Sequence, residues 1–279
     1  MKLGLSSPLE HKTPEKWAEN MQKIGCQAVN FPVDYTAPKE VIQAYEQAAK
    51  DQGLVIAEVG AWCNPISPDL EIRENARIRC REQLRLADRL GACCCVNVSG
   101  SKGARWDGPY KENLTKETWK DMVRSIQNII DEADPQNTFY TIEPMPWMYP
   151  MGPDEYVKLI EDVDRKHFAV HMDVFNWIIS PERYFYHEEF MEECFEKLGK
   201  YIKSCHLKDV LLRQEFTLQL QETACGKGGI NLKKYKELID SVNPDMPAIL
   251  EHLGSDQEYL DSLKFINCLL YTSDAADEL

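Results

Sequence analysis

The sequence predicts an α/β protein built as a single (β/α)8 TIM barrel. Three observations carry the prediction. Short runs of branched and aromatic residues alternate with longer amphipathic stretches, no Gly/Ser/Pro-rich linker interrupts the alternation, and the last four runs end in side chains able to bind a metal. The 279 residues suit one barrel of about 250 residues. An open, doubly wound sheet is the rival topology.

The strand candidates are 2–6, 28–31, 54–59, 93–98, 139–143, 168–173, 202–206 and 248–251. Helix starts follow several of them. Thr13-Pro14 places a cap oxygen before proline at the first helical position, Ser67-Pro68 repeats it, and Gly152-Pro153 opens the helix after the fifth strand. Ser255 with Glu258 has the spacing of a capping box. Val41, Ala44, Tyr45, Ala48 and Ala49 form one apolar stripe, which Gly53 ends. The barrel is expected over 1–267. Residues 268–279, CLLYTSDAADEL, continue no packing pattern and read as a disordered or non-native-looking tail, similar to translated adapter sequence, with the natural C-terminus missing.

A formal net charge of −14 disfavours non-specific attraction to nucleic acid or an anionic membrane. A small neutral or metal-chelated substrate is expected instead, with a homo-oligomer left open. The start MKLGLSSPLEHK lacks a long apolar stretch, and no run of about 18 apolar residues occurs, so a soluble, cytoplasmic protein is expected. The ten cysteines include the run Cys93, Cys94 and Cys95 but no CxxC pair, which reads as reduced core thiols rather than a disulfide framework or a zinc ribbon.

The chemistry is read from the strand ends. The fifth strand ends YTIEPMPW, the sixth AVHMDVFNW, the seventh SCHLKDV and the eighth AILEHLG. In a barrel these ends converge on one face, so Glu143, Asp173, His206 and Glu251 are expected to meet. Solvated loop entrances would explain any one of them, but not four successive strands. Three carboxylates and an imidazole suit Mn²⁺ foremost, with Mg²⁺, Co²⁺ or Zn²⁺ as alternatives. His171 shares the strand parity of Asp173 and is placed one layer below the metal, as a catalytic or supporting residue or a satisfied core histidine. Lys208 shares the parity of His206, and is either a donor or base at the substrate or a solvated lysine at a loop start.

Trp62 and Trp147 follow the third and fifth strands and either cover a sugar face or pack at the rim. Asn97, with Ser99, either bonds sugar hydroxyls or serves a turn. GKGG at 226–229 lacks the P-loop spacing and reads as a tight turn; Arg213 could neutralise a phosphate, though nothing requires one.

The pieces IEPMPW, HMDVFN, HLKD, GKGGIN and ILEHL together resemble the sugar phosphate isomerase/epimerase superfamily of xylose isomerase-like barrels, over almost everything before the tail. The resemblance implies that Glu143, Asp173, His206 and Glu251 bind Mn²⁺ or a related ion, as in ketose 3-epimerases, and that Glu143 and Glu251 exchange protons with substrate. It also implies that the glycine pair shapes the loop before the seventh helix and that Glu222 reaches the site. Asn176 stands where ketose 3-epimerases often carry His, which separates this chain from their substrates.

The expected function is therefore a metal-dependent isomerase or epimerase of a keto sugar or sugar derivative, by proton abstraction beside a chelated carbonyl. The alternative is a lyase or dehydratase performing β-elimination, resembling inosose dehydratase or enzymes that cleave 3-keto glycosides, with His171, Lys208 or Glu251 as acid or base. A non-catalytic sugar-binding subunit ranks lower. The DNA-repair branch of the superfamily is disfavoured by only six His and by the charge balance.

Overall fold

The computed structural model describes residues 1–274. Its barrel strands are β1 (Lys2–Leu5), β2 (Ala28–Asn30), β3 (Val55–Gly60), β4 (Cys94–Asn97), β5 (Tyr140–Ile142), β6 (Phe168–Met172), β7 (Ile202–Leu207) and β10 (Pro247–Leu250). All pair in parallel, and β1 bonds to both β2 and β10, so the sheet closes and the open alternative is excluded. Between β7 and β10 stands an antiparallel hairpin, β8 (Asp209–Arg213) and β9 (Gln219–Thr223), outside the barrel.

The outer layer comprises α1 (Pro14–Lys23), α2 (Lys39–Asp51), α3 (Leu70–Leu90), α4 (Lys116–Ala133), α5 (Pro153–Val163), the short α6 (Pro181–Phe185), α7 (His187–Leu198), α8 (Leu232–Val242) and α9 (Asp256–Asp274). Thr13 caps α1 by accepting from Lys16 N, as its sequence signal predicts. At α3 the signal is displaced. Asp69, not Ser67, is the cap, accepting from Glu71 N and Ile72 N, while Ser67 Oγ, two residues earlier, accepts from Asp69 N. A carboxylate beside the free N–H groups suits the positive end of the helix dipole better than a hydroxyl. Ser255 Oγ accepts from Glu258 N, and Glu258 reaches back to Gly254 N. The described part of α9 runs past residue 267, and residues 275–279 of the expected tail lie outside the described residues.

The main apolar core lies between strands and helices, with Trp17, Trp177, Tyr140 and Tyr156 fully buried. The barrel lumen is different. Its lower end is plugged by Ala28, Ala57 and Ile249, and a Cβ on Gly4 would come within 2.7 Å of Ile249 Cδ1, so glycine is what lets the plug fit. Above the plug the lumen turns polar. No helix among the described residues is long and apolar enough to cross a membrane.

Candidate metal centre

Buried polar side chains fill the lumen above the apolar plug and build upward to the ligands. Cys94 Sγ lies 3.2 Å from Ser204 Oγ, which is 2.6 Å from His171 Nδ1. The pairing of β6 with β7 slips by one residue between Val170 and His171, and this slip sets His171 opposite Ser204. The Glu58 carboxylate, fully buried, bridges two imidazoles: Oε1 is 3.3 Å from His171 Nδ1, and Oε2 is 3.4 Å from His206 Nε2. The two rings meet edge to face at 4.0 Å between centroids.

The other nitrogen of His206 looks up at the carboxylates. Nδ1 is 2.9 Å from Glu251 Oε2 and 3.4 Å from Glu143 Oε1. Glu143, Asp173, His206 and Glu251 each offer a ligand atom, and these atoms lie within 4.8 Å of one another. A cation with bonds of about 2.1 Å holds ligand atoms at most about 4.2 Å apart, so modest rotations suffice. Asp173 Oδ1 is used by the backbone, accepting from Phe175 N and Asn176 N, whereas Asp173 Oδ2 and His206 Nδ1 are buried without a hydrogen-bond partner. Ion contacts in place of aligned hydrogen bonds at two of the four residues fit a metal site better than a closed hydrogen-bond network.

Lys208 shares the site. Its Nζ lies 2.6 Å from Glu251 Oε1 and 2.7 Å from Asp173 Oδ2, the latter an ion contact without hydrogen-bond alignment. Burial pushes the ammonium down, but Asp173, Glu251 and Glu222 outweigh it and hold Lys208 well above the ordinary lysine range. Glu251 is held well below the usual carboxylate range, because His206 and Lys208 overcome the effect of burial. Asp173 goes the other way: burial and the charges of Glu251 and Glu143 push it up to about 7 against the pull of Lys208. Thus Glu251 is ionised beside a protonated Lys208, and Asp173 bears the crowding of carboxylates.

A cavity of about 540 Å³ opens over this cluster, lined by Lys208, Asn176, Glu222 and His252 on its polar side and by Trp147 among its apolar residues. Lys208 and Asn176 are its links to the ligands; Asn176 Nδ2 donates to Glu143 Oε1 at 3.1 Å and to Pro144 O at 3.0 Å. Trp147 Nε1 donates to Asp107 O, which fixes its ring in the wall. His171 lies below the ligands, against His206 rather than Asp173.

Three expected substrate contacts are not brought to this cavity. The Asn97 side chain accepts from Cys63 N and donates to Tyr140 Oη and Cys80 Sγ, deep in the wall between β4 and α3. Arg213 sits on the outward face of the hairpin with Glu215 and Gln221. Trp62 folds back over Gly60, where a Cβ would meet its indole at 1.9 Å. GKGG forms the expected tight turn, held by Asp209, whose carboxylate accepts from Gly226 N, Gly228 N and Ile230 N.

Two residues of the site escape the strand-end reading. Glu58 had a signal, a lone carboxylate inside the apolar run VIAEVG, where a charge needs a buried partner. His252 directly follows Glu251, so alternation would turn it away, but a positive φ of 55° brings it back into the cavity. There Nδ1 lies 3.1 Å from Glu222 Oε1 and Nε2 lies 3.4 Å from Glu251 Oε2; the bond to Glu222 raises the His252 pKa.

A family model described as xylose isomerase-like TIM barrel matches residues 18–268. No curated protein matches the chain. Among solved structures, D-psicose 3-epimerase from Clostridium cellulolyticum, determined with D-tagatose, is 16% identical and superposes with a TM-score of 0.69, covering 97% of this chain and 99% of its own. The 3-keto-D-glucoside 4-epimerase from E. coli is 15% identical with a TM-score of 0.70, covering 96% and 99%. A probable 3-DHS dehydratase from Bacillus anthracis is 16% identical with a TM-score of 0.72, covering 96% and 99%.

Proposed function

Because the chain belongs to the xylose isomerase-like TIM barrel family, we propose that it is a divalent-metal-dependent isomerase or epimerase of a keto sugar or sugar derivative. The observation that carries this reading is the convergence of Glu143, Asp173, His206 and Glu251 beneath a cavity large enough for a sugar. The neighbours support it as analogies of fold, since two are epimerases that differ in substrate.

Glu143, Asp173, His206 and Glu251 would hold the ion, with Mn²⁺ as first choice and Mg²⁺, Co²⁺ or Zn²⁺ as alternatives. A divalent ion there would polarise a substrate carbonyl and offset the negative charge that develops on its oxygen. The protein's own groups then move the proton. Glu251, ionised beside Lys208, accepts it from the carbon next to the carbonyl, and Glu143, oriented by Asn176, is the second carboxylate, able to deliver a solvent-derived proton to the opposite face. Lys208 and Glu222 bind sugar oxygens at the polar side of the cavity, and Trp147 offers the substrate a flat aromatic face.

A second reading is favoured by Lys208. A protonated, buried ammonium 2.6 Å from the proposed base is placed to protonate a leaving group, which β-elimination from a 3-keto glycoside or an inosose-like substrate requires. The two readings separate by product. With Mn²⁺ in D₂O, epimerisation yields an isomer of the substrate carrying one deuterium, whereas elimination releases water or an aglycone. Failure of both free ketoses and 3-keto glucosides to react rejects both readings and favours a sugar-binding protein without catalysis.

A further inference from the structure

The cavity over the candidate centre is two-sided, and its second side does not suit a sugar. Lys208, Asn176, Glu222 and His252 lie together near the ligands. Apart from Arg105 and Asp107, which pair with each other, the remaining wall is apolar and comes mainly from three segments. The loop after β5 contributes Met145 and Trp147, the turn after β6 contributes Ile178 and Ile179, and the hairpin contributes Leu218 and Leu220.

The hairpin's share follows from period-two alternation. Val210 pairs with Glu222 and Leu212 with Leu220, so Leu220 and Glu222 point to one face of β9 and Gln219 and Gln221 to the other, with Leu218 just before the strand. Leu218, Leu220, Glu222 and Val210 all line the cavity. The arm therefore sets a carboxylate at the polar end and leucines farther out along the same face. Leu218 is 47% exposed and Ile179 37% exposed, so this wall is apolar surface open to solvent while Trp147 is pinned by Asp107. A free sugar offers hydroxyls in every direction, and burying them against leucine and isoleucine without partners costs binding energy. A flat hydrocarbon ring offers none.

We infer that the substrate is bipartite: a keto-sugar head at the polar side, and an aromatic aglycone lying against the wall made by Trp147, Ile178, Ile179, Leu218 and Leu220. The inference rests on the sugar-processing reading proposed above and specifies its substrate as an aryl glycoside rather than a free ketose. The cavity volume of about 540 Å³ falls within the range of pockets, about 300–1,000 Å³, that take molecules of that size. Aromatic stacking on Trp147 and removal of the leucine faces from water would supply the preference.

The test uses the full chain loaded with Mn²⁺. Binding of phenyl and methyl β-glucosides is measured by calorimetry, and turnover is measured with the two 3-keto derivatives and free fructose. The expected result is at least about tenfold tighter binding and higher kcat/KM for the phenyl compounds. The Leu218→Ser/Leu220→Ser variant should lower the phenyl-to-methyl ratio at least about threefold. Because the hairpin lies outside the barrel, circular dichroism and metal content provide the folding control. Equal binding of phenyl and methyl compounds, alongside turnover of the methyl 3-keto glucoside or of fructose, overturns the bipartite substrate and leaves the sugar-processing reading standing. A phenyl preference in binding left undiminished by the double substitution also overturns it, since the leucine face of the wall would contribute nothing to it. Absence of turnover with every keto sugar rejects the underlying reading, and the bipartite substrate with it, whatever the calorimetry gives.

Discussion

Glu58 Oε2 lies 3.4 Å from Nε2 of His206, while the opposite ring nitrogen faces Glu251 at 2.9 Å. A histidine that ligates a metal through one nitrogen is commonly oriented by a carboxylate at the other, which fixes its tautomer. Glu58 is a positioning residue in this sense, and Glu58→Gln should weaken Mn²⁺ affinity about 10- to 100-fold by calorimetry while leaving the four ligands in place. Wild-type affinity in that variant would remove Glu58 from the site.

Lys208 holds two buried carboxylates together. Lys208→Met should lower the stability of the metal-free protein by about 3–5 kcal/mol, because Asp173 Oδ2 loses its ion partner and Glu251 keeps only its histidine contacts. Excess Mn²⁺ should restore much of that loss, which urea titrations with and without metal will read. Equal destabilisation in both conditions would mean that the ion and the ammonium do not share those carboxylates.

Gly228 approaches Asp209 too closely for a side chain, since a Cβ would meet Asp209 Oδ1 and Val210 O at 2.3 Å. Gly228→Ala should cost about 1–3 kcal/mol. It should also shift the base of the hairpin, seen as altered amide signals at Asp209 and Val210. A thermal melt superimposable on wild type would contradict the turn's role.

Asp34 joins the loop after β2 to α3, through the Thr36 hydroxyl at 2.6 Å and Arg79 at 2.9 Å, while Arg79 also donates to Ala61 O. The Thr36 bond and, more weakly, Arg79 hold the Asp34 carboxyl below its ordinary value of 3.8 against the effect of burial. A carboxyl lowered on folding stabilises fully above its unfolded pKa and loses that contribution as pH falls through the folded value. Asp34→Asn should therefore be less stable than wild type at pH 7 by at most about 1 kcal/mol, and the gap should close below about pH 3.8. A gap that stays constant from pH 7 to pH 2.5 would contradict the assignment.

The barrel and the convergence of the four candidate ligands were legible because they rest on short-range patterns: alternation placed the strands, and each candidate stands at a strand end. Features set by pairing between strands were not. Glu58 enters the lumen where the pairing of β2 with β3 slips between Val29 and Asn30, and His171 finds Ser204 through a second slip. The run LQLQE alternates over 218–222, but no strand was placed between 206 and 248, so the hairpin and the outward turn of Arg213 were missed. His252 depends on one left-handed residue, and Asn97 on partners supplied by α3 and β5. Neither has a local signature.

Two groups of side chains among the described residues are arranged to hold an ion, and they share His206: Glu143, Asp173, His206 and Glu251 above, Glu58, His171 and His206 below. Anomalous diffraction from Mn²⁺-soaked crystals separates them directly. One peak per chain is expected, bonded at about 2.0–2.3 Å to all four of the upper residues, with Lys208 displaced from at least one carboxylate. A peak between Glu58 and His171, or none at the upper site under saturating Mn²⁺, would contradict it.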